Sequence, residues 1–354
     1  MEINILMLLI LNIGVSGGSL HYARNIINNL DREKYVISSK NSIVASPSSN
    51  EMWNTYDFGI KSIIYSFFYL PFYLLKIAHG VLTKKYDCLY LPYLHSWSPL
   101  FICIFKLFNK KIYVTIHDGP LIIKNNIKSD ILLRFCIKNS THLIFLTKYV
   151  REKTINKYGI SQSTKTTIQP HGLIYPNGII STPRTWKPKM NILFFGKVLE
   201  SKGIIELIDA VEEIHGTIDK LHIVGKWYHN LKINNQEYIN IVDEYVHEED
   251  IAKYFNKCDI LVLPYREASQ SGVLTIGIAA SIPMIVSNKE GLKEQLSENE
   301  AIFVKGDSES IKKGLIRLIK EPTVYENISR ELYIKQNKLN WIDISNNINI
   351  FIQN

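Results

Sequence analysis

The chain has 354 residues, a length that predicts two domains. Apolar residues make up 46% of it and charged residues 21%, which excludes an intrinsically disordered chain, a collagen-like repeat and a polytopic membrane protein. The four cysteines lie far apart without a C-x-x-C pair, so the sequence indicates neither a zinc ribbon nor a disulfide scaffold, and a reducing compartment fits best.

The first apolar run covers residues 3–13 and leads into a glycine-rich loop at 14–18. Acidic Glu2 precedes the run, and no small-residue cleavage site follows it, so a secretory signal peptide is not indicated. A buried parallel strand that feeds a glycine loop explains the pattern better. We therefore expect a cytoplasmic protein.

Apolar runs of strand length then alternate with helical patterns along the whole chain. Strands are predicted over residues 4–11, 88–91, 111–116 and 142–146, and again over 191–195, 220–224, 239–242, 260–263 and 284–286. Helices are predicted over residues 19–30, 204–214, 251–256, 272–280 and 308–319. This alternation is typical of parallel sheets with helical crossovers, and two such series predict two doubly wound α/β domains.

A polar stretch with two prolines, residues 181–188, separates the two series and predicts the domain boundary. The N-terminal domain is then expected over residues 1–182 and the C-terminal domain over 183–335. A last stretch with helical spacing is expected to form a separate C-terminal helix over residues 336–354.

Residues 63–77 form an apolar and aromatic segment that is followed by Lys84 and Lys85. The segment contains Pro71 and is short for a membrane span, which needs about 20 residues. It is either an interfacial element that dips into a bilayer or, the interpretation slightly favoured here, a buried helix of the first domain's core.

Charge is distributed unevenly between the two halves. Residues 1–183 contain 20 Lys and Arg against 9 Asp and Glu, a net +11, whereas residues 184–354 contain 21 against 24, a net −3. A basic first half suggests an anionic partner such as a membrane surface, a nucleic acid or a phosphorylated substrate. Alternatively, the lysines only keep an apolar domain in solution.

Several motifs of known chemistry are absent from the sequence. It contains no G-x-x-x-x-G-K-[ST] loop, no G-x-G-x-x-G after the first strand and no H-E-x-x-H or G-x-S-x-G. There is also no D-x-D pair to hold a divalent ion on a diphosphate, and no recognised nucleic-acid module. These absences argue against P-loop nucleotidases, standard dinucleotide enzymes and nucleic-acid partners.

Three loops that follow predicted strands are candidates for anion binding. Gly17 and Gly18 precede the first helix, and glycines there bring backbone amides to a helix N-terminus. Lys197 and Lys202 flank a loop with the spacing to clamp a diphosphate, although two solvated surface lysines would look the same. The third loop, Ser271-Gly272-Val273, exposes helix-end amides or is simply a helix cap.

His117 directly follows the strand predicted over residues 111–116 and is followed by Asp118. A single histidine after a strand is more often structural than catalytic. This one is nevertheless expected at the carboxyl edge of the first sheet, facing the cleft between the domains.

In their order and spacing, these features resemble the retaining glycosyltransferases of GT-B fold, specifically glycosyltransferase family 4. The resemblance covers nearly the whole chain, and its most specific part lies in the second domain. The matching positions are Gly17-Gly18, His117-Asp118, Pro170-His171-Gly172, Gly196-Lys197, Lys202-Gly203, residues 221–225 and 259–265, Ser271-Gly272-Val273, Pro283, Gly291-Leu292-x-Glu294 and Trp341.

The resemblance implies two Rossmann-like domains that face each other across a cleft, with the C-terminal helix returning to the N-terminal domain. The second domain would bind a nucleotide-diphosphate sugar and the first would bind the acceptor. The phosphates would meet Lys197, where the family usually has Arg, together with Lys202 and the amides of Ser271, Gly272 and Val273. Gly17 and Gly18 would approach the diphosphate from the first domain.

The resemblance also assigns two catalytic positions and one further donor-binding position. His117 corresponds to the family's histidine near the donor sugar, Glu267 to an acidic residue near the same sugar, and Glu294 to a residue that contacts the sugar donor. The family's second glutamate, separated from the first by seven residues, is missing here, since Thr275 stands at that position among other uncharged residues. Cations and helix ends would offset the charge of the departing nucleotide, so neither a metal nor another cofactor is expected.

The sequence thus predicts a retaining hexosyltransferase that acts on a lipid-linked or polysaccharide acceptor, as in bacterial O-antigen, capsule or exopolysaccharide biosynthesis. Peripheral contact with the inner face of an anionic cytoplasmic membrane is consistent with the basic first half. The alternative is a degenerate GT-B protein that binds a nucleotide sugar or a partner transferase without turnover; a GT-B epimerase fits less well, because the first domain has few acidic residues.

Overall fold

The structure is a computed structural model that describes residues 7–15, 18–42, 44, 47–56, 59–120, 127–228 and 236–353. The chain divides into two units. The first unit combines Met1–His171 with Trp341–Asn354, and the second unit is Gly172–Asn340.

The first unit contains a parallel sheet of seven strands in the order β3-β2-β1-β4-β5-β6-β7. Its strands are β1 (Leu8–Asn12), β2 (Lys34–Ser39), β3 (Glu51–Trp53), β4 (Cys88–Leu91), β5 (Lys111–Ile116), β6 (His142–Phe145) and β7 (Lys165–Ile168). Its helices are α1 (Ser19–Asn29), α2 (Gly59–Phe68), α3 (Leu70–Leu82), α4 (Ser98–Leu107), α5 (Ile127–Asn139), α6 (Lys148–Tyr158) and α13 (Trp341–Gln353).

Strand β1 shows why this sheet needs helices on both faces. Its residues are all buried, and they alternate between two hydrophobic cores, with Leu9 and Leu11 in one and Leu8 and Ile10 in the other. Side chains of α3, α4, α5 and α6 complete the first core, whereas those of α1 and α13 complete the second. A continuous apolar run is typical of such a doubly covered parallel strand.

The second unit contains a parallel sheet of six strands in the order β10-β9-β8-β11-β12-β13. Its strands are β8 (Asn191–Phe195), β9 (Lys220–Val224), β10 (Ile239–Val242), β11 (Ile260–Leu263), β12 (Met284–Ser287) and β13 (Ile302–Val304). Its helices are α7 (Ile204–Glu212), α8 (Glu248–Lys257), α9 (Gly272–Ala279), α10 (Glu290–Lys293), α11 (Ser308–Lys320) and α12 (Pro322–Lys335). The prediction of two doubly wound α/β domains is confirmed.

The division between the units lies earlier than the proline-containing stretch at residues 181–188. Leu173 and Ile174 are already buried in the core of the second unit. Arg184 is held there as well, because its backbone N–H donates to Oγ of Ser329 at 2.7 Å and its guanidinium donates to the carbonyl of Ala280 at 3.1 Å. The stretch is therefore an arm bound to the second unit and not a linker.

The division at the C-terminal end also differs from the expected boundary at residue 335. Gln336 donates its side-chain amide to the carbonyl of Ile278 at 3.0 Å and to Oγ of Ser281 at 2.8 Å, so it belongs to the second unit. The first unit resumes at Trp341. Helix α13 packs against α1, and Ile344, Ile348 and Ile352 enter the core that α1 covers.

The apolar segment at residues 63–77 lies in α2 and α3, and the favoured prediction of a buried core helix is only half right. Tyr73 and Ile77 are buried in the core, but Phe67, Phe72 and Leu75 are 62–76% exposed. In the part of the chain that the structure describes, no helix has the length and hydropathy of a membrane span.

Candidate functional site

The second unit places its candidate site where the chain reverses direction across the sheet. After β8 the chain builds β9 and β10 on one side, and it then returns to add β11 on the other side of β8. The carboxyl ends of adjacent strands β8 and β11 thus carry loops that diverge, which is where open α/β sheets bind ligands. The predicted residues Lys197 and Lys202 follow β8, and Glu267 and Ser271 follow β11.

Glycines let these loops approach one another closely. Gly203 has a φ of +69°, and a Cβ at this position would lie 2.0 Å from the carbonyl oxygen of Pro264, in the loop after β11. Gly225, after β9, has a φ of +142°, and its Cβ would lie 1.9 Å from the carbonyl oxygen of Gly196. Only glycine fits such positions, so the loops after β8, β9 and β11 form one closely packed edge.

The predicted N-terminus of α9 lies at this same edge. A methyl group at position 196 would lie 3.5 Å from Cγ2 of Val273, so the loop that carries Lys197 contacts the first turn of α9. Two of the predicted phosphate-binding segments therefore adjoin. Lys197 is exposed there.

Lys202 connects the two loops through Tyr265. Its Nζ lies 3.6 Å from the centroid of the Tyr265 ring, within the range of a cation–π contact. Tyr265 is buried and forms a side-chain hydrogen bond with Ser271; burial raises the pKa of Tyr265 to about 12, so its hydroxyl stays protonated at neutral pH. The ammonium group of Lys202 is thus held next to the residue that caps α9.

Ser271 is the N-cap of α9, and its backbone is already engaged. Its Oγ accepts from the N–H of Leu274 at 3.3 Å, while its own N–H donates to Oε1 of Gln295 at 2.7 Å. Gln295 also donates to the carbonyl of Ser271 at 3.4 Å. Of the three predicted amides, those of Gly272 and Val273 are left in the first helical turn, where N–H groups have no intrahelical acceptor.

Two residues that the sequence reasoning missed position this edge. Gln295 fixes Ser271 as described, and only its place beside Glu294 in a family motif would have pointed to it. Arg266 binds the loop after β11 to the loop after β8: its guanidinium donates to Glu200 at 2.6 Å and to Glu206 at 2.7 Å, and its N–H donates to the carbonyl of Ser201 at 2.9 Å.

The two predicted glutamates of the second unit are both exposed. Glu267 lies in the loop between β11 and α9, one residue after Arg266. Glu294 is the C-cap of α10, next to Gln295. Both residues thus lie in segments that adjoin Ser271.

The first unit holds the predicted histidine at the carboxyl edge of its own sheet. His117 follows β5, and its Nε2 lies 2.7 Å from the carbonyl oxygen of Pro92, which follows β4. A carbonyl only accepts, so Nε2 carries the proton and donates. Burial lowers the pKa of His117, although the Pro92 carbonyl and Asp118 oppose the shift; a neutral ring with Nδ1 as the acceptor follows.

Aromatic rings fix the orientation of this histidine. The ring of Tyr22, from α1, meets His117 edge-on at a centroid distance of 4.8 Å. Tyr22 also contacts His171 at 5.6 Å and Trp341 at 5.7 Å, and the last two contact each other at 5.5 Å. The Pro170-His171-Gly172 motif and the C-terminal tryptophan thus meet around Tyr22, which packs against the candidate catalytic ring.

The glycine loop after β1 lies at the reversal point of the first sheet, between β1 and β4. The N–H of Gly14 donates to the hydroxyl of Tyr93 at 2.6 Å, and that hydroxyl donates to Oδ1 of Asn12 at 2.9 Å. Gly18 is the N-cap of α1, and within the described part of the chain no atom lies within 4 Å of a Cβ built on it. Gly17 lies outside the described residues.

The geometry defines two Rossmann-like units, each with its candidate residues at the carboxyl edge of a parallel sheet. Solved structures share this architecture. HepE of Anabaena, solved in complex with UDP and glucose, is 12% identical and aligns with a TM-score of 0.73 over 99% of this chain and 100% of its own. WaaG, a glycosyltransferase involved in lipopolysaccharide biosynthesis, is 12% identical with a TM-score of 0.69, covering 98% and 99%. The chain thus has the GT-B fold.

Sequence comparison narrows the class further. Residues 189–321, within the second unit, match the family model described as glycosyl transferases group 1. An uncharacterized glycosyltransferase of Methanocaldococcus jannaschii is 25% identical over 251 residues, which are 68% of this chain and 68% of that protein. The family match and the fold together support a glycosyltransferase of the group 1 type.

Proposed function

We propose that this protein transfers a hexosyl-type sugar from a nucleotide-diphosphate sugar to a lipid-linked or polysaccharide acceptor, with retention of configuration. The observation that carries the proposal is the edge where Lys202, held on Tyr265, adjoins the first turn of α9. The bound UDP and glucose of HepE and the lipopolysaccharide role of WaaG are consistent with such a donor and acceptor. The acceptor would be met at the cytoplasmic face of the membrane.

The second unit would bind and activate the leaving group. Lys197, Lys202 and the N–H groups of Gly272 and Val273 would neutralise the diphosphate as the bond to the sugar breaks. A preorganised arrangement of cations and helix-end dipoles stabilises the developing charge without reorganisation, so we propose that no metal takes part. Glu294 would contact the nucleotide sugar.

The first unit would contribute His117, and Glu267 would act from the second. A neutral imidazole whose Nε2 donates to Pro92 leaves Nδ1 as the acceptor for a sugar hydroxyl. Glu267 has an exposed carboxylate and would contact the same sugar. Gly17 and Gly18 would approach the diphosphate.

The test measures sugar transfer from a panel of nucleotide sugars, UDP-glucose first, to a membrane lipid extract, with products identified by mass spectrometry. Lys202→Met is expected to weaken donor binding by about tenfold or more, since it removes a charge-assisted contact. Lys313→Met is the control, because Lys313 is exposed on α11 and pairs with Glu309. Equal donor binding by both variants would refute the assignment of Lys202.

One observation favours a second candidate, a protein that binds the nucleotide sugar without turnover. Thr275 stands where the resemblance implies a second glutamate, and it is buried with its Oγ1 donating to the carbonyl of Gly272 at 2.7 Å. It therefore offers no carboxylate to a ribose. Transfer or slow donor hydrolysis that disappears in His117→Ala supports the enzyme, whereas tight binding without product in both proteins supports this alternative.

A further inference from the structure

The helices that cover one face of the first sheet carry apolar side chains on their outer surface. In α2, the side chains of Ile60, Ile64, Phe67 and Phe68 are 45–77% exposed. Their spacing places them along one side of the helix. This side is therefore turned away from the protein interior.

The same pattern continues in the neighbouring helices. In α3, Phe72, Leu75 and Leu82 are 62–72% exposed, while Tyr73 and Ile77 reach the core. Helix α3 packs between α2 and α4, and α4 exposes Leu100 at 43% and Leu107 at 81%. These exposed side chains of α2, α3 and α4 form what we call the apolar outer face. A patch of this extent on a protein surface marks an interaction site.

The charged side chains on these three helices are all lysines, and one of them, Lys76, is paired with Glu51 of β3 at 2.7 Å. Between residues 59 and 117 the sequence contains seven lysines and one carboxylate, Asp87. That carboxylate lies outside the helices and is paired with Lys110 at 3.1 Å. Lys61 and Lys84 are exposed beside the apolar side chains of α2 and α3. The face therefore offers apolar groups and cations together, without a carboxylate on any of its three helices.

The helices of the second unit do not share this composition. There α8 begins with Glu248, Glu249 and Asp250, and α11 carries Glu309, which pairs with two lysines of the same helix. Of the described helices in that unit, α12 exposes two large apolar side chains, Tyr333 at 44% and Ile334 at 46%. The outer face of the first unit is thus a local property and not a consequence of the shared architecture.

We propose that the apolar outer face binds a bilayer that contains anionic lipids, with α2, α3 and α4 lying in the plane of the interface. The three helices have 10, 13 and 10 residues, too short to cross a hydrocarbon core, which takes about 20 residues. Apolar and aromatic groups on one side of a helix with lysines beside them suit the headgroup–acyl boundary of anionic membranes. This proposal rests on the proposed function, because membrane binding would bring a sugar transferase to its lipid-linked acceptor.

Vesicle sedimentation tests the proposal with the full chain. The double variant Phe68→Ser/Phe72→Ser removes two side chains that are 69% and 62% exposed, so the fold does not depend on them. The matched control Tyr333→Ser/Ile334→Ser removes exposed apolar side chains from α12. Each protein is mixed with vesicles of phosphatidylcholine alone or with phosphatidylglycerol, and its oligomeric state is measured by light scattering.

We expect the wild type and the control to sediment with the anionic vesicles and to bind phosphatidylcholine alone more weakly. The double variant should lose about tenfold or more in partitioning for each phenylalanine removed. Lys61→Gln and Lys84→Gln should each weaken anionic binding about fivefold and leave binding to phosphatidylcholine alone unchanged.

Three outcomes would overturn the proposal: no sedimentation of the wild type, an equal loss in the control, or a wild-type dimer that the double variant converts to a monomer. The last result would make the face an interface between copies of this chain. Nucleotide-sugar binding is measured without vesicles on every protein. If wild type and variants alike fail to bind any donor while vesicle binding follows the pattern above, the proposed sugar transfer fails and the membrane face stands.

Discussion

The two units repeat one architecture but brace the carboxyl edges of their sheets with different chemistry. In the first unit, aromatic rings hold this edge: the hydroxyl of Tyr93 accepts a hydrogen bond from Gly14, and the ring of Tyr22 packs against His117. In the second, glycines bring the loops into contact and Arg266 ties them together. A neutral aromatic edge suits hydroxyl groups of a sugar, and a cationic edge with open helix amides suits phosphates. We propose that the two units use these edges to bind different parts of the substrates.

The largest effect should come from filling the closest approach in the second unit. In Gly225→Ala the added Cβ would lie 1.9 Å from the carbonyl oxygen of Gly196, at a φ of +142°. Backbone strain and overpacking together should destabilise the second unit by about 3 kcal/mol or more. Urea unfolding followed by hydrogen exchange of peptides from each unit would measure the change.

The control for this substitution is Gly216→Ala. Among the described residues, no atom lies within 4 Å of a Cβ at position 216, so little change is expected there. Equal stability of Gly225→Ala and the wild type would show that the loops are not packed this closely. The contrast between an aromatic edge and a glycine-packed edge would then be wrong.

The second prediction concerns α13, which belongs to the first unit although the second unit precedes it in the chain. Ile348 is fully buried in the core shared with α1, and Ile350 on the same helix is 56% exposed. Ile348→Ala should destabilise the first unit by about 3 kcal/mol, because it leaves a cavity in the core. Ile350→Ala should change stability by less than about 0.5 kcal/mol.

Hydrogen exchange again assigns each effect to a unit. The interpretation requires that Ile348→Ala speeds exchange in α1 and in the first sheet and leaves the second unit unchanged. Equal exchange rates in the two alanine variants would show that α13 does not contribute to this core.

The sequence predicted the strands that are apolar on both faces, because a short apolar run between turn residues indicates a buried strand. Residues 88–91, 191–195 and 260–263 were predicted with the bounds that the structure has. Three of the four edge strands were missed: β3 and β13 have three residues each, and β7 (Lys165–Ile168) is polar and has no buried side chain. Inside the first sheet, β2 (Lys34–Ser39) was also missed. Short edge strands lack the periodicity on which such predictions depend.

Site residues that belong to a local sequence motif were predictable, whereas contacts between residues far apart in the chain were not. Lys202 was expected from its loop, but nothing local reveals that its ammonium lies on the ring of Tyr265, 63 positions further along the chain. The proline-containing arm was misread for a related reason: prolines and polar residues favour a linker, while the bonds of Arg184 to the second unit depend on the folded sheet.

The third prediction is that low pH destabilises the first unit through a buried histidine. His142, at the start of β6, contacts the rings of Tyr113 at 4.4 Å and Phe351 at 5.4 Å. Burial, with smaller contributions from Lys111 and Lys165, lowers its pKa from 6.5 to about 4. Between pH 6.5 and pH 4, His142 is therefore protonated in the unfolded chain and neutral in the folded state. Its contribution to stability is complete above pH 6.5 and is lost as the pH falls towards 4.

We expect the first unit to lose about 3 kcal/mol of stability over this range through His142. His142→Gln should flatten this part of the pH profile, whereas His247→Gln, at an exposed position in the second unit, should leave it unchanged. Urea midpoints measured at several pH values would decide. A wild-type profile that the substitution at position 142 does not alter would contradict the assignment.

The smallest expected effect separates a purely structural role of the edge at the N-terminus of α9 from the proposed role in binding phosphate. Gln295 accepts from the N–H of Ser271 and donates to its carbonyl. Gln295→Ala should destabilise the second unit by about 1 kcal/mol through the unsatisfied N–H group. Gln295→Glu keeps the acceptor and loses the weak 3.4 Å donation to the Ser271 carbonyl, but it adds negative charge beside the N-terminus of α9, which favours the helix itself. If this edge only caps a helix, Gln295→Glu should match the wild type both in stability and in nucleotide-sugar binding. If it binds the diphosphate, the same charge repels the ligand, so Gln295→Glu should match the wild type in urea midpoint and yet bind nucleotide sugars several-fold more weakly in calorimetry.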